Sequence, residues 1–394
     1  MKKITVISPF FYPELISTGK YNTELVRELA GSGRQIDVLC SHPLYPDWIP
    51  AKSVATLPGV RIHRAGRSLR YPKNLFLRRA VLELWFAIFV LTRWPLLYRS
   101  DLIISIVPPS LFLSMISWAF GKKSVSIVHD LQVVHVGESP SRLKKIIAGI
   151  ITVVEGFGLR SSRLTVFLSE EMRQLSMKIY SVSKSGSQVI YPPVTVSDFS
   201  DKGSLSSQLW GDEVNIVYSG ALGEKQSPWH LMELAREIVR VGNGYTFNFF
   251  SGGPIFEELK DKNTDDRIRF YQLVREDELG ELLGKSSVQI IPQAPGTSAG
   301  SLPSKLPNVL ASGSLLLVIT DKGSELEMLL NQQSGVAVET TWDPKTIVLS
   351  IQNLLDMRGL DQPEMIRAAR AGLLKKFDRK LLIATCLSII ERGG

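Results

Sequence analysis

At 394 residues the chain is too long for one ordinary core, so two domains of under about 200 residues each are expected. Hydrophobic residues make up 44% and charged ones 21%, globular values that exclude a disordered chain. The net charge of +8 comes wholly from the first half. Residues 1–200 hold 25 Lys and Arg against 13 Asp and Glu, the remainder 21 against 25, so one domain should face an anionic surface or substrate.

Taken in chain order, the start Met1-Lys2-Lys3-Ile4-Thr5-Val6-Ile7-Ser8 is too short in apolar length for a signal peptide and runs into a strand pattern. A mature cytoplasmic N-terminus is expected. Further strands are read at Ile4–Ser8, Gln35–Cys40, Leu102–Ile106, Ser124–Val128, Leu164–Leu168 and Gln188–Tyr191. The polar, turn-rich run from Ser197 to Ser204 reads as the start of a linker. Strands then resume at Val214–Tyr218, Tyr245–Phe250, Ile268–Tyr271, Val288–Ile291, Leu315–Ile319 and Val336–Val338. Apolar β-branched runs that alternate with helical periodicity predict an α/β chain with parallel sheets. The expected division is a domain over 1–197, a linker over 198–213, a second domain over 214–374 and a C-terminal helix in 375–394 that packs back on the first domain. Two doubly wound domains facing each other would hold a ligand cleft at the carboxyl ends of both sheets.

The two cysteines, Cys40 and Cys386, lie far apart and form no CxxC, which excludes a disulfide framework and fits a reducing compartment. The basic excess concentrates between Arg61 and Arg99, where Arg64, Arg67, Arg70, Lys73, Arg78, Arg79 and Arg93 bracket the apolar run Val81–Leu91. Glu83 and Arg93 interrupt that run, and about 20 clean apolar residues are needed to span a bilayer. Two readings remain: a buried domain helix, or a partly exposed one on an anionic leaflet with Trp85, Phe86 and Trp94 at headgroup level. Nucleic acid is not expected as a partner, because no RNP, KH or helix-turn-helix pattern accompanies the charge.

Two turns suggest where an anion would sit. From Gln293 to Thr320 the pattern is a strand end, a loop of small residues, a short helix led by Pro303-Ser304-Lys305, and another apolar strand. A similar turn runs Tyr218-Ser219-Gly220-Ala221-Leu222-Gly223-Glu224-Lys225. Free amides and a lysine at a strand–helix turn favour a diphosphate. His129-Asp130 ends an apolar strand, where the histidine reads either as a hydrogen-bonding group for a sugar or as a satisfied core residue. His42, His63, His135 and His230 form no metal spacing, and Asp265-Asp266 is a surface-like run, so metal-independent chemistry without a cofactor is expected.

The ordered set Tyr12-Pro13-Glu14-Leu15-Ile16-Ser17-Thr18-Gly19-Lys20-Tyr21, Cys40–Trp48, Val128-His129-Asp130, Tyr218-Ser219-Gly220 with Glu224-Lys225-Gln226, Gly252-Gly253-Pro254 and Leu302-Pro303-Ser304-Lys305-Leu306 resembles glycosyltransferase family 4, retaining enzymes of GT-B fold. Within it the likeness is to colanic-acid and O-antigen transferases of fucosyl or N-acetylfucosaminyl type. The resemblance implies that Gly19 lets a diphosphate or sugar approach the backbone, and that Lys225, Ser304 and Lys305 serve the leaving diphosphate. It implies contacts to the nucleotide from the glycines Gly252 and Gly253, from Leu273 and Val274 within the run Phe270–Arg275, and from Glu325. His129 and Asp130 would act on the donor sugar.

The pattern also departs from the family. Its two glutamates eight residues apart are Gly300 and Asn308 here, and its arginine after the Ser219-Gly220 turn is Ala221. Asn308, Ser304 and Lys305 would then rebuild those contacts. The expected activity is retaining transfer from a UDP- or GDP-sugar to a polyprenyl-diphosphate-linked saccharide, peripherally on the inner face of the cell membrane, for polysaccharide assembly. A nucleotide-sugar epimerase of the same fold and a non-catalytic GT-B partner subunit remain as alternatives.

Overall fold

The computed structural model describes residues 2–14, 17–44, 47–131, 142–205, 213–298, 302–357 and 363–392. Leu15, Ile16, Tyr45, Pro46, His135 and Gly300, named above, lie outside them. The chain divides into two compact units, Met1–Pro193 with Arg379–Gly394, and Val194–Asp378.

The first unit holds strands β1 (Lys3–Ile7), β2 (Gln35–Ser41), β3 (Val60–Ala65), β4 (Leu102–Val107), β5 (Ser124–Val128), β6 (Leu164–Phe167) and β7 (Ser187–Val189). They form one parallel sheet in the order β3-β2-β1-β4-β5-β6-β7. The winding reverses between β1 and β4, the position where open α/β sheets place ligands. Its helices are α1 (Ser17–Gly31), α2 (Leu75–Thr92), α3 (Trp94–Tyr98), α4 (Leu111–Phe120), α5 (Arg142–Ser161) and α6 (Glu170–Tyr180). The second unit holds β8 (Val214–Ser219), β9 (Tyr245–Phe250), β10 (Ile268–Tyr271), β11 (Val288–Pro292), β12 (Leu315–Ile319) and β13 (Val336–Glu339), all parallel in the order β10-β9-β8-β11-β12-β13. Its helices are α7 (Pro228–Val241), α8 (Pro254–Asp261), α9 (Leu279–Lys285), α10 (Leu306–Ser312), α11 (Glu325–Leu330), α12 (Pro344–Met357), α13 (Pro363–Ala369) and α14 (Ala371–Leu374). The last helix, α15 (Lys380–Arg392), returns to the first unit, where Cys386 and Ile390 join the core beside Leu25 and Leu29.

Interior strands such as β4 and β12 are buried at every residue, which is why they are unbroken apolar runs. Strand β3 was not expected. It is the edge strand, and its sequence VRIHRA alternates with cations that Asp37 holds from β2. The Asp37 carboxylate accepts from Arg61 Nη2 at 2.7 Å and lies 2.8 Å from His63 Nε2.

The polar run read as a linker is packed on α9. An added Cβ on Gly280 would lie 1.9 Å from the Asp198 carbonyl oxygen, and one on Gly284 2.3 Å from that of Phe199. Only glycine lets the segment lie this close. The buried Glu281 carboxylate accepts from the Ser204 N–H at 3.1 Å and the Ser204 hydroxyl, and pairs with Lys285 at 3.2 Å. Residues 206–212 of the expected linker are outside the described set.

Helix α2 is partly exposed at Leu84, Ile88 and Leu91, but the aromatic residues expected at its outer face are engaged elsewhere. Phe86 is fully buried, Trp94 packs on Phe120 at 4.8 Å between ring centroids, and the Trp85 indole N–H donates to the Tyr71 hydroxyl at 2.6 Å. None of the three is a headgroup anchor. Glu83 turns inward: its carboxylate accepts from the Ser110 and Leu111 N–H groups at 2.9–3.1 Å and so caps α4. Among the described residues no helix is long and apolar enough to cross a membrane.

Candidate functional site

Strand β8 ends at Ser219 and the chain turns sharply at Gly220, whose φ of +138° suits glycine. The Gly220 N–H donates to the Phe250 carbonyl at 3.0 Å, which ties the turn to β9. Beyond it, Glu224–Gln226 forms one 3-10 turn, and the Lys225 carbonyl accepts from the Ala294 N–H at 2.8 Å. That bond joins the turn after β8 to the loop after β11. Between them lies a cavity of about 170 Å³, lined among others by Gly220, Lys225, Gln293, Thr297, Ser304 and Lys305.

Lys305 is the N-cap of α10. Its Nζ sits 3.9 Å from the centre of the Tyr218 ring and donates to the Ser219 carbonyl at 3.0 Å and, weakly, to that of Ile290 at 3.5 Å. An ammonium has three donors, so one remains for a ligand in the cavity. Burial pulls this lysine down to about 7. The side chain therefore sits at the edge of protonation, and an anion beside it would complete its charge.

A second group builds the loop between β11 and α10. Asp321, just after β12, accepts from the Gly296 N–H at 2.9 Å and the Ser298 N–H at 3.2 Å. Desolvation raises its carboxyl, but these bonds outweigh it and hold the group below its usual range. Thr320 donates to Gln293 Oε1 at 2.6 Å, fixing the amide at the cavity wall. Asp321, Thr320 and Gln293 had no assigned role in the sequence. The signal available was an aspartate directly after an apolar strand and before a glycine turn.

The other expected residues distribute as follows. Gly252 and Gly253 follow β9, with Gly253 at φ +100° leading α8. Leu273 and Val274 follow β10; Leu273 is exposed, and Val274 packs beside Leu205 and Phe250. Glu325 opens α11 after β12 and is buried. All lie beyond carboxyl ends of strands, but none lines the lysine cavity. Asn308 plays a different part. Its Oδ1 accepts from the Thr195 and Val196 N–H groups at 2.8 and 3.1 Å, and its Nδ2 donates to Thr195 Oγ1 at 3.0 Å. The amide expected to rebuild a sugar-nucleotide contact pins the start of this unit instead.

His129, Asp130 and Gly19 belong to the first unit. The His129 N–H donates to the Val107 carbonyl at 2.9 Å, and its ring lies 6.4 Å from that of Tyr21. Burial pulls the imidazole down to about 4, against the opposing Asp130 charge, so it is neutral at pH 7 with one donor and one acceptor. Asp130 is half-buried next to it. Gly19 is not in the loop before the helix, as expected, but inside the first turn of α1. An added Cβ there would meet Glu14 Cβ at 3.0 Å, so helix–loop packing also favours a glycine at this position. Among the described residues no group of three or more His, Cys, Asp or Glu could hold a metal ion.

Comparison with known proteins places this geometry. Residues 18–198 match the sequence model of Glycosyltransferase Family 4. An Escherichia coli (strain K12) protein with the provisional name colanic acid biosynthesis glycosyl transferase WcaI is 26% identical over 371 residues, 85% of this chain and 88% of the relative. Sucrose-phosphate synthase from Thermosynechococcus elongatus superposes with a TM-score of 0.72 at 15% identity, over 100% of this chain and 99% of that one. WaaG, a glycosyltransferase involved in lipopolysaccharide biosynthesis, gives 0.69 at 10% identity over 98% of both chains. Anabaena HepE, in complex with UDP and glucose, gives 0.67 at 13% identity over 100% of this chain and 98% of that one. The sequence of residues 18–198 is thus similar to Glycosyltransferase Family 4, and the chain as a whole has the GT-B fold of the structures it superposes on.

Proposed function

We propose that the chain transfers a sugar, with retention of anomeric configuration, from a UDP- or GDP-sugar to a lipid-linked saccharide at the cytoplasmic membrane face. The observation that carries this reading is the cavity where Lys225, Ser304 and Lys305 meet at the carboxyl end of β8 and β11. As the bond from the anomeric carbon to the diphosphate oxygen breaks, negative charge builds on that oxygen. Two lysines lining this cavity would favour the transition state over the ground state. The new bond forms from the acceptor hydroxyl oxygen to the same carbon and the same face, and the hydroxyl proton passes to the departing diphosphate. No protein base is needed in this scheme. His129, neutral at pH 7, is suited to hydrogen-bonding a sugar hydroxyl rather than to carrying charge.

The acceptor class draws support from the E. coli relative, named for colanic acid biosynthesis, and from WaaG, described as acting in lipopolysaccharide biosynthesis. Asn308 favours a second reading, a non-catalytic GT-B subunit, because its carbonyl oxygen and one of its two amide N–H donors are engaged with residues 195–196. Calorimetric titration with UDP, GDP and their sugars separates the two. Binding of one nucleotide, weakened in Lys225→Ala and Lys305→Ala, supports transfer. No binding of any supports the subunit. Release of sugar-transfer product onto a lipid-linked acceptor, with its anomeric configuration determined by NMR, tests retention.

A further inference from the structure

Helices α2, α4 and α5 lie side by side on the first sheet, with α4 in the middle. Gly158 of α5 lets it approach Leu113 of α4, and the Ser114 hydroxyl of α4 donates to the Val154 carbonyl of α5. The outward face of this layer is apolar. Leu84, Ile88 and Leu91 follow at helical spacing on α2, Val153 and Phe157 on α5, and Trp118 stands between them on α4. Trp118 is 76% exposed, Val153 69% and Ile88 61%. A soluble monomer seldom leaves so many large side chains in one patch uncovered.

The three helices carry mostly one sign of charge in sequence. The sequences of the three helices contain six Lys or Arg and only two carboxylates, Glu83 and Glu155. Both carboxylates are used internally. Glu83 caps α4, and the fully buried Glu155 accepts from the Ser110 and Tyr180 hydroxyls. Beside Trp118 an open groove is lined by Lys122 and Arg163, both exposed, at the amino ends of β5 and β6.

We propose that this α2–α4–α5 face docks on an anionic lipid bilayer. Its apolar ridges enter the acyl boundary, Trp118 sits at headgroup depth, and Lys122 and Arg163 meet lipid phosphates. The inference rests on the membrane-side transfer proposed above and names the surface that achieves it. A second copy of the chain fits less well, because a two-fold contact would set the Lys122 and Arg163 rim against itself. The face shares α2 with the one the sequence suggested but presents different side chains. Phe86 and Trp85 point inward, and Arg78 is stacked over Trp48 at 4.3 Å.

The full chain is tested by co-sedimentation with phosphatidylcholine vesicles and with vesicles containing phosphatidylglycerol. Wild type binds the second and not the first, and added salt weakens binding. Lys122→Gln with Arg163→Gln lowers the partition constant about thirtyfold, from about 1 kcal/mol per basic residue. The triple variant Leu84→Ser, Ile88→Ser, Val153→Ser lowers it at least about tenfold. Trp118→Ser, a single change at an exposed site, repeats the test if the triple variant melts early. Wild type that ignores phosphatidylglycerol at low salt overturns the proposal. So do variants that bind as wild type does, or a concentration-dependent dimer that the same variants abolish. UDP and GDP titrations on the same samples separate the two readings. Nucleotide binding without vesicle binding ends the docking face alone, and vesicle binding without nucleotide binding ends the transfer reading alone.

Discussion

Each unit contains a lysine that donates to backbone carbonyls over an aromatic ring, and the two do different work. In the first unit Lys123 Nζ donates to the carbonyls of Leu97, Tyr98 and Ser100 at 3.1, 2.8 and 2.6 Å, above Phe120 at 5.0 Å. All three N–H groups are consumed, so the side chain is a staple between the end of α3 and the start of β5. In the second unit Lys305 has one good carbonyl partner and one long one, lies over Tyr218, and faces a cavity. Burial lowers both, yet only the second keeps a donor for a ligand. The number of satisfied donors, not burial or charge, separates a structural lysine from one available to an anion.

Exchanging the consequences is the sharpest way to break this comparison. Lys305→Ala should lower turnover by about 2–3 kcal/mol of lost charge-assisted contact, roughly 30- to 150-fold, with little change in melting temperature. Lys225→Ala should behave the same way. Lys123→Ala should leave nucleotide affinity intact but lower stability by about 2–3 kcal/mol, since three carbonyls lose their donor. Steady-state rates beside thermal melts decide it. A Lys123 variant that folds normally and loses turnover would reverse the assignment.

Much of this contrast could be anticipated from local pattern, and part could not. Buried parallel strands such as LIISIV and LLLVI are legible because both faces are covered and alternation disappears. The lysine turns are legible because small residues, then a lysine, then an apolar helix form a contiguous pattern. Strand β3 escaped because an edge strand needs only one buried face, and Asp37 on its neighbour supplies the partner for its cations. Helix α2 is apolar nearly all round, so its periodicity does not say which side faces the core, and nothing local marks Glu83 as a cap for a helix 27 residues on. The role of Asn308 depends on residues 113 positions earlier. No local pattern carries such information.

The histidine of the first unit provides the next test. With a folded value of about 4 and an unfolded value near 6.5, His129 is lowered on folding. The unfolded chain then binds the proton first, so stability falls as pH drops below 6.5 and the loss is complete near 4. Between pH 7 and pH 5 this amounts to about 2 kcal/mol. His129→Gln, which cannot be charged, should flatten that part of the acid limb in denaturant titrations at the two pH values. An unchanged limb would mean that the imidazole is solvated.

Asp321 gives a smaller effect within the second unit. Asp321→Ala removes the acceptor for two loop amides at Gly296 and Ser298. The expected cost is about 1–2 kcal/mol in stability or donor affinity, with Asp321→Asn recovering part of it through the remaining carbonyl oxygen. If both variants match wild type in melting and in nucleotide titration, the loop is held by its other contacts.

The finest effect concerns the proton on Lys305. A group at about 7 is half charged at pH 7, and a diphosphate beside it favours the charged form. Donor binding should therefore take up about half a proton at pH 7, rising toward one as pH increases, until the pH exceeds the value in the complex. Affinity should fall over the same interval, by up to tenfold per pH unit, which is the opposite of what a deprotonating base would give. Calorimetry in two buffers of different ionisation enthalpy reads the uptake directly. The uptake should vanish in Lys305→Met, and the same variant of Lys123, whose donors are all spoken for, should leave it unchanged. Proton release, or uptake that survives in Lys305→Met, would place the titrating group elsewhere and remove the distinction between the two lysines.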